Sequence, residues 1–191
     1  MKTGSERGYG SIYIRIAILA LGIVLLAFMD MIVLEKIYKP ISAKYEIPWN
    51  ELEIHVPLAG ESARMLWWHV AFIPLGILLF VLIGMSGGDW GITLSGIVLF
   101  ATGWEDIVYY IIQFKLVPRQ LGWLDVNIFI SWTRILTRHA HVTRIDLLIA
   151  AGIGGVLAAV IFFFQWIWRY MHRSENTIID EQRHEEYDHE E

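Results

Sequence analysis

The 191-residue sequence contains no cysteine. Disulfide scaffolds, cysteine-ligated zinc, iron–sulfur clusters and thiol catalysis are therefore excluded, and the redox compartment leaves no mark on the chain. Charge is also scarce. Asp, Glu, Lys and Arg make up 18 % of residues against 55 % hydrophobic, and mean hydropathy is +0.47. An ordinary soluble domain carries more charged surface than this, so the balance points to a membrane protein. Phosphate-loop chemistry is absent, because Gly87-Gly88 is followed by no Lys-Ser/Thr. No serine stands in a context that singles out a nucleophile. Of the histidines, only His69 lies within an apolar segment, which is too few for a bis-histidine haem. The net charge of −5 gives no electrostatic footprint for nucleic acid.

What the chain does have is long apolar runs. Four stand out, at about 11–34, 65–88, 90–114 and 146–169, and each reaches or nearly reaches the ~20 residues that cross a bilayer as a helix. The first continues through Glu35-Lys36 with no small-residue cleavage site, so it reads as a retained helix rather than a signal peptide. Ser86-Gly87-Gly88-Asp89 predicts a tight turn, making the second and third segments an antiparallel hairpin. The connection from Glu35 to Arg64 holds Pro40, Pro48 and Pro57. It alternates Glu51, Glu53 and His55 with Leu52, Ile54 and Val56, as a short strand or a lid does. Between the third and fourth segments, Leu121, Trp123, Leu124, Ile128, Phe129, Trp132, Ile135 and Leu136 alternate with Asp125, Arg134 and Arg138. That pattern predicts an amphipathic helix lying in the membrane interface, with a fifth, short crossing at Leu121–Leu136 as the competing reading.

The expected fold is thus all-α: an integral membrane four-helix bundle with an interfacial helix between its third and fourth helices. Residues 1–173 form a single transmembrane domain, and 174–191 form a disordered acidic tail with eight acids against one base, Arg183. Ala151, Gly154, Gly155, Ala158 and Ala159 give the fourth helix a small-residue stripe for close packing. The first and third connections (loops 1 and 3, about 35–64 and 115–144) hold nine basic residues and the opposite face six. The positive-inside rule then sets those loops in the cytoplasm of what reads as the cell membrane. Membrane lipid is the expected partner, with further membrane subunits or a second copy as alternatives, and no nucleic acid.

With four crossings, the ionisable residues converge. Asp30 lies late in the first helix, His69 opens the second, Glu105 and Asp106 lie in the last third of the third, and Asp146 opens the fourth. His55, Glu61, His139 and His141 belong to the same face. The opposite half of the bundle reads as nearly free of charge. Two adjacent acids at that depth cost roughly 2.5–3.5 kcal/mol each if central, and less off-centre, so they need partners or protons. Three readings fit. Arginines from loop 3, or Arg64, plug the acids. Alternatively, Glu105, Asp106, His69, His139 and His141 ligate a divalent metal (iron, zinc, copper or manganese), with Asp30 as a further carboxylate beside the catalytic pair Glu105 and Asp106. The chain is then a membrane-embedded, metal-dependent enzyme acting on a lipid or apolar small substrate. In the third reading, the acids serve a metal-free lipophile-binding protein or isomerase. A non-catalytic subunit of a larger membrane complex is the remaining alternative. No Glu-x-x-His or His-Glu-x-x-His spacing supports the metal set.

Phe28-Met29-Asp30, Pro74 and the acidic pair are similar to the emopamil-binding/sigma-2-receptor group of small helical membrane proteins. That resemblance covers only those few residues, and it implies intramembrane acids lining a sterol or amine pocket. The His-x-x-x-Glu arrangement of the group's isomerases is missing at His69, because position 73 is Ile73.

Overall fold

The computed structural model describes residues 12–46, 53–58 and 61–188. Apart from one small hairpin, the described chain is helical. Three helices are long and apolar enough to cross a membrane, or four if a pair bent by 70° is one broken span.

The first helix, α1 (Ile12–Ile32), does not stop where the apolar run ends. It passes through a π-helical stretch (Val33–Tyr38) into α2 (Lys39–Tyr45), making 34 continuous residues. Pro40 lies at the start of α2. It lacks the N–H that would bond back to the preceding turn, and the widened π turn accommodates it. The segment expected as the beginning of a loop is therefore helix. An antiparallel hairpin follows, β1 (Glu53–Leu58) with β2 (Glu61–Leu66), in a register that pairs Ile54 with Met65 and His55 with Arg64.

The predicted tight turn is present between α3 (Trp67–Gly87) and α4 (Trp90–Ala101). Gly88 takes φ +59°, and Asp89 caps α4 by accepting from Gly91 N at 3.0 Å and Ile92 N at 3.3 Å. The two helices pack closely, because a Cβ on Gly84 would meet Thr93 Oγ1 at 1.6 Å. The expected charge-free half of the bundle is corrected here. Arg15 of α1 is buried and ion-pairs with the buried Asp89, while its guanidinium lies 5.1 Å from the Phe162 ring centroid.

The third apolar segment is not the continuous helix expected over 90–114. It breaks at Thr102-Gly103 and resumes as α5 (Trp104–Ile112), at 70° to α4. Three local features cause the break. Thr102 Oγ1 bonds back to the carbonyls of Val98 (2.8 Å) and Leu99 (3.2 Å). Gly103 adopts φ +81°, which ends the first helix. Trp104 Nε1 then donates to Ala151 O at 2.8 Å. At Gly103 a Cβ would also meet Leu147 Cδ1 at 2.5 Å. Gly103→Ala should therefore cost at least about 1–2 kcal/mol for the left-handed backbone alone, read as a lowered unfolding midpoint in detergent micelles.

A 3-10 turn (Gly122–Val126) leads into α6 (Ile128–Thr137), whose ten residues are too few to cross the ~30 Å hydrocarbon core. The last helix, α7 (Arg144–Asp188), has an apolar portion ending at Gln165 and then continues into the acidic segment expected to be disordered. That segment is rich in Glu, a strong helix former, and it extends a helix already nucleated within the bundle.

α4 is the centre of the packing, with α3 on one side and α7 on another. α1 lies against α5, and α6 against α7. The small-residue stripe of α7 serves this packing. A Cβ on Gly154 would lie 2.0 Å from Thr102 Oγ1, and Ser95 Oγ donates to Ala158 O at 2.8 Å. Two apolar cores result: Ile23, Leu26, Phe72, Phe80 and Phe100 in one, and Tyr110, Leu121, Leu124, Ile130, Val142 and Leu147 in the other.

Candidate functional site

The helix break builds the site. Because α5 starts anew at Trp104, Glu105 and Asp106 fall in its first turn, where the unpaired N–H groups and the helix dipole favour negative charge. A continuous helix would have exposed both acids to the full cost of burial in lipid. Across the α1–α5 contact, Asp30 lies within electrostatic reach of both acids. Asp30 is itself buried and accepts a hydrogen bond from Trp68 Nε1 at 3.0 Å, with His69 Nε2 at 3.8 Å. Of the residues expected on one face, the fold brings Asp30, His69, Glu105 and Asp106 together without Asp146, His139 and His141.

Among the residues whose side chains are described, no arginine plugs these acids; the side chain of Arg64 lies outside them. Arg134 goes instead to Asp125 (3.9 Å) and to Ala140 O (3.0 Å), and Lys39 goes to Glu35. Asp106 accepts a hydrogen bond from the Trp123 side chain. One carboxyl oxygen of Glu105, Oε2, is buried without a hydrogen-bond partner.

The acids open onto a cavity of about 630 Å³, a size that suits a small organic ligand. It lies between α3 and α7, across the α4–α5 break, and is walled at its end by the 3-10 turn and the start of α6. Its polar lining is short: His69, Thr102, Glu105, Asp106 and Asn127. The rest is aliphatic and aromatic. Several of those apolar residues are exposed, including Ile73, Ile77, Phe129, Ile153 and Leu157. The cavity is therefore open along an apolar edge, between helices that have the length and composition of membrane spans.

The other predicted ligands lie elsewhere. His139 Nδ1 hydrogen-bonds Asp146 Oδ2 at 2.9 Å, and His141 Nδ1 hydrogen-bonds Asp125 Oδ2 at 2.9 Å; neither histidine lines the cavity. Asp146 is fully buried in a capping box at the start of α7. It accepts from Thr143 N (2.8 Å), Thr143 Oγ1 (2.6 Å) and Thr137 Oγ1 (2.5 Å). It is part of the join between α6 and α7, and not of the acid site. Among the described residues, no three His, Asp or Glu side chains come together as a metal ion requires.

Sequence reasoning missed Thr102, Trp123 and Asn127. A Thr-Gly pair inside an apolar run, immediately before two acids, was a readable signal of the break. Trp123 and Asn127 reach the site from a connection that carries no motif.

The chain matches no protein-family model, no curated protein and no solved structure, so the likeness to the emopamil-binding group rests on the few residues named above.

Proposed function

We propose that this is an integral protein of the cell membrane with four crossings, α4 and α5 together forming one broken crossing and α6 lying in the interface. Its function on this reading is to bind an apolar small molecule taken sideways from the lipid. Loops 1 and 3 face the cytoplasm on this reading. The observation that carries it is the cavity. Its lining joins exposed apolar side chains, Ile73, Ile77, Phe129, Ile153 and Leu157, which on this reading meet lipid, to two carboxyls.

The lining also constrains the polar end of the ligand. Thr102 spends its hydroxyl proton on helix carbonyls, and both amide atoms of Asn127 are engaged. The buried polar atom of this lining left without a partner is a carboxyl oxygen, Glu105 Oε2. A molecule with a hydroxyl or amine head supplies the missing donor, whereas a carboxylate or phosphate head meets two acids and no described Lys or Arg. Divalent-metal chemistry has weaker support, because two of its three histidine ligands, His139 and His141, are committed to Asp146 and Asp125.

The test is extraction and mass spectrometry of protein purified in nanodiscs, together with thermal shifts against long-chain alcohols, amines and fatty acids. Wild type should carry a stoichiometric apolar compound and should respond to alcohols or amines but not to fatty acids. Val98→Phe, which fills the cavity without touching the acids, should lose at least tenfold in binding. Wild-type protein with nothing bound and no thermal shift from any probe refutes the proposal.

A further inference from the structure

The break between α4 and α5 frees the last carbonyls of α4, which must be satisfied where no water is at hand. Val98 O accepts from Thr102 N (3.1 Å) and Thr102 Oγ1 (2.8 Å), Leu99 O from Thr102 Oγ1 (3.2 Å), and Phe100 O from Gly103 N (3.2 Å). All of these donors are local. Ala101 O is different. Its donor is Asn127 Nδ2 at 3.0 Å, from 26 residues away. The other end of the same amide caps α6, with Oδ1 accepting from Phe129 N at 3.0 Å and Ile130 N at 3.2 Å.

We infer that Asn127 is the positioning residue of the acid pair: it holds the α4–α5 break open at the angle that directs Glu105 and Asp106 into the cavity, and ties that angle to the start of α6. The chemistry of the position explains the residue. A cap needs an acceptor, the orphan carbonyl needs a donor, and a planar amide presents both on one rigid group. Aspartate caps but donates nothing. Serine also caps, but it is too short to span to Ala101. A second contact from the same segment reinforces the tie, since Trp123 in the adjoining 3-10 turn hydrogen-bonds Asp106. β2 packs on that turn, so the segment is backed from its far side. The inference rests on the reading that Glu105 and Asp106 are the polar end of the pocket, but its test needs no bound molecule.

The absence of cysteine makes that test clean. Spin labels on Leu94→Cys in α4 and Ile111→Cys in α5, both exposed on the outer surface, report the angle at the break through their separation in nanodiscs. Infrared difference spectra report the carboxyl groups, with bands assigned through Glu105→Gln and Asp106→Asn. In Asn127→Ser the helix content should hold, the label separation should shift or broaden, and the carboxyl bands should move. Asn127→Asp, nearly isosteric and still a cap, should do the same, and it serves if the serine variant fails to fold. A wild-type label distribution, or wild-type carboxyl bands, in a folded variant overturns the inference. Failure of the ligand experiment with these shifts still present would refute the pocket and leave the positioning role standing.

Discussion

Glu105→Gln combined with Asp106→Asn should leave the melting temperature in detergent unchanged or higher, and should empty the pocket. The two changes nearly conserve volume, so packing loss is small. What they remove is charge that no described arginine or lysine neutralises, including an oxygen, Glu105 Oε2, that is buried without a partner. A charge at the centre of the bilayer costs roughly 2.5–3.5 kcal/mol on insertion scales and less off-centre. The dipole at the start of α5 offsets part of that cost. Relief of the remainder should appear as stability, and loss of the carboxyl groups should appear as loss of the bound compound. Thermal unfolding and solvent extraction on the same preparation read both. A large fall in melting temperature, with nothing bound to wild type, would mean that the acids hold the bundle together and have no ligand.

Arg15→Met should be the most destabilising single change of the opposite half. Both partners of the Arg15–Asp89 pair are buried, and removing one leaves an uncompensated charge, an effect of about 3–5 kcal/mol. Adding Asp89→Asn should recover most of the loss. Asparagine still accepts from Gly91 N and Ile92 N, so the cap on α4 survives, and a neutral pair then replaces the ionic one. Reversible unfolding in bicelles of wild type, both single variants and the double variant gives the coupling directly. If Arg15→Met alone matches wild type, the ion pair contributes nothing to stability.

Much of the architecture was legible because length and hydropathy are coarse, one-dimensional signals that the bilayer itself imposes. The turn at Ser86–Asp89 was legible for a different reason: Gly88 needs a left-handed backbone, and Asp89 is a good cap. Convergence of Asp30, His69, Glu105 and Asp106 followed from alternating helix direction alone. What was missed depends on contacts between distant residues. Arg15 and Asp89 lie 74 positions apart, and nothing in either neighbourhood announces the other. Ala101 and Asn127 meet only because α5 turns away and lets the later connection approach. His139 and His141 were grouped with the acids by face, but face does not determine which carboxylate an imidazole meets. Asp146 and Asp125 were nearer and took them.

On the proposed reading, a cavity open to lipid changes what an affinity means for this protein. A compound that reaches the site through lipid is presented at its concentration in the membrane, which can exceed its aqueous concentration by orders of magnitude. The relevant dissociation constant is therefore a mole fraction of lipid. Apparent potencies measured against total aqueous concentration should rise with partition coefficient across a homologous series of alcohols or amines, even where the contacts inside the cavity are unchanged. They should also fall as more lipid is added at constant ligand, since dilution then takes place in two dimensions. Detergent chains occupy the same phase and compete at the same opening, so a pocket stripped by a linear-chain detergent can refill on reconstitution.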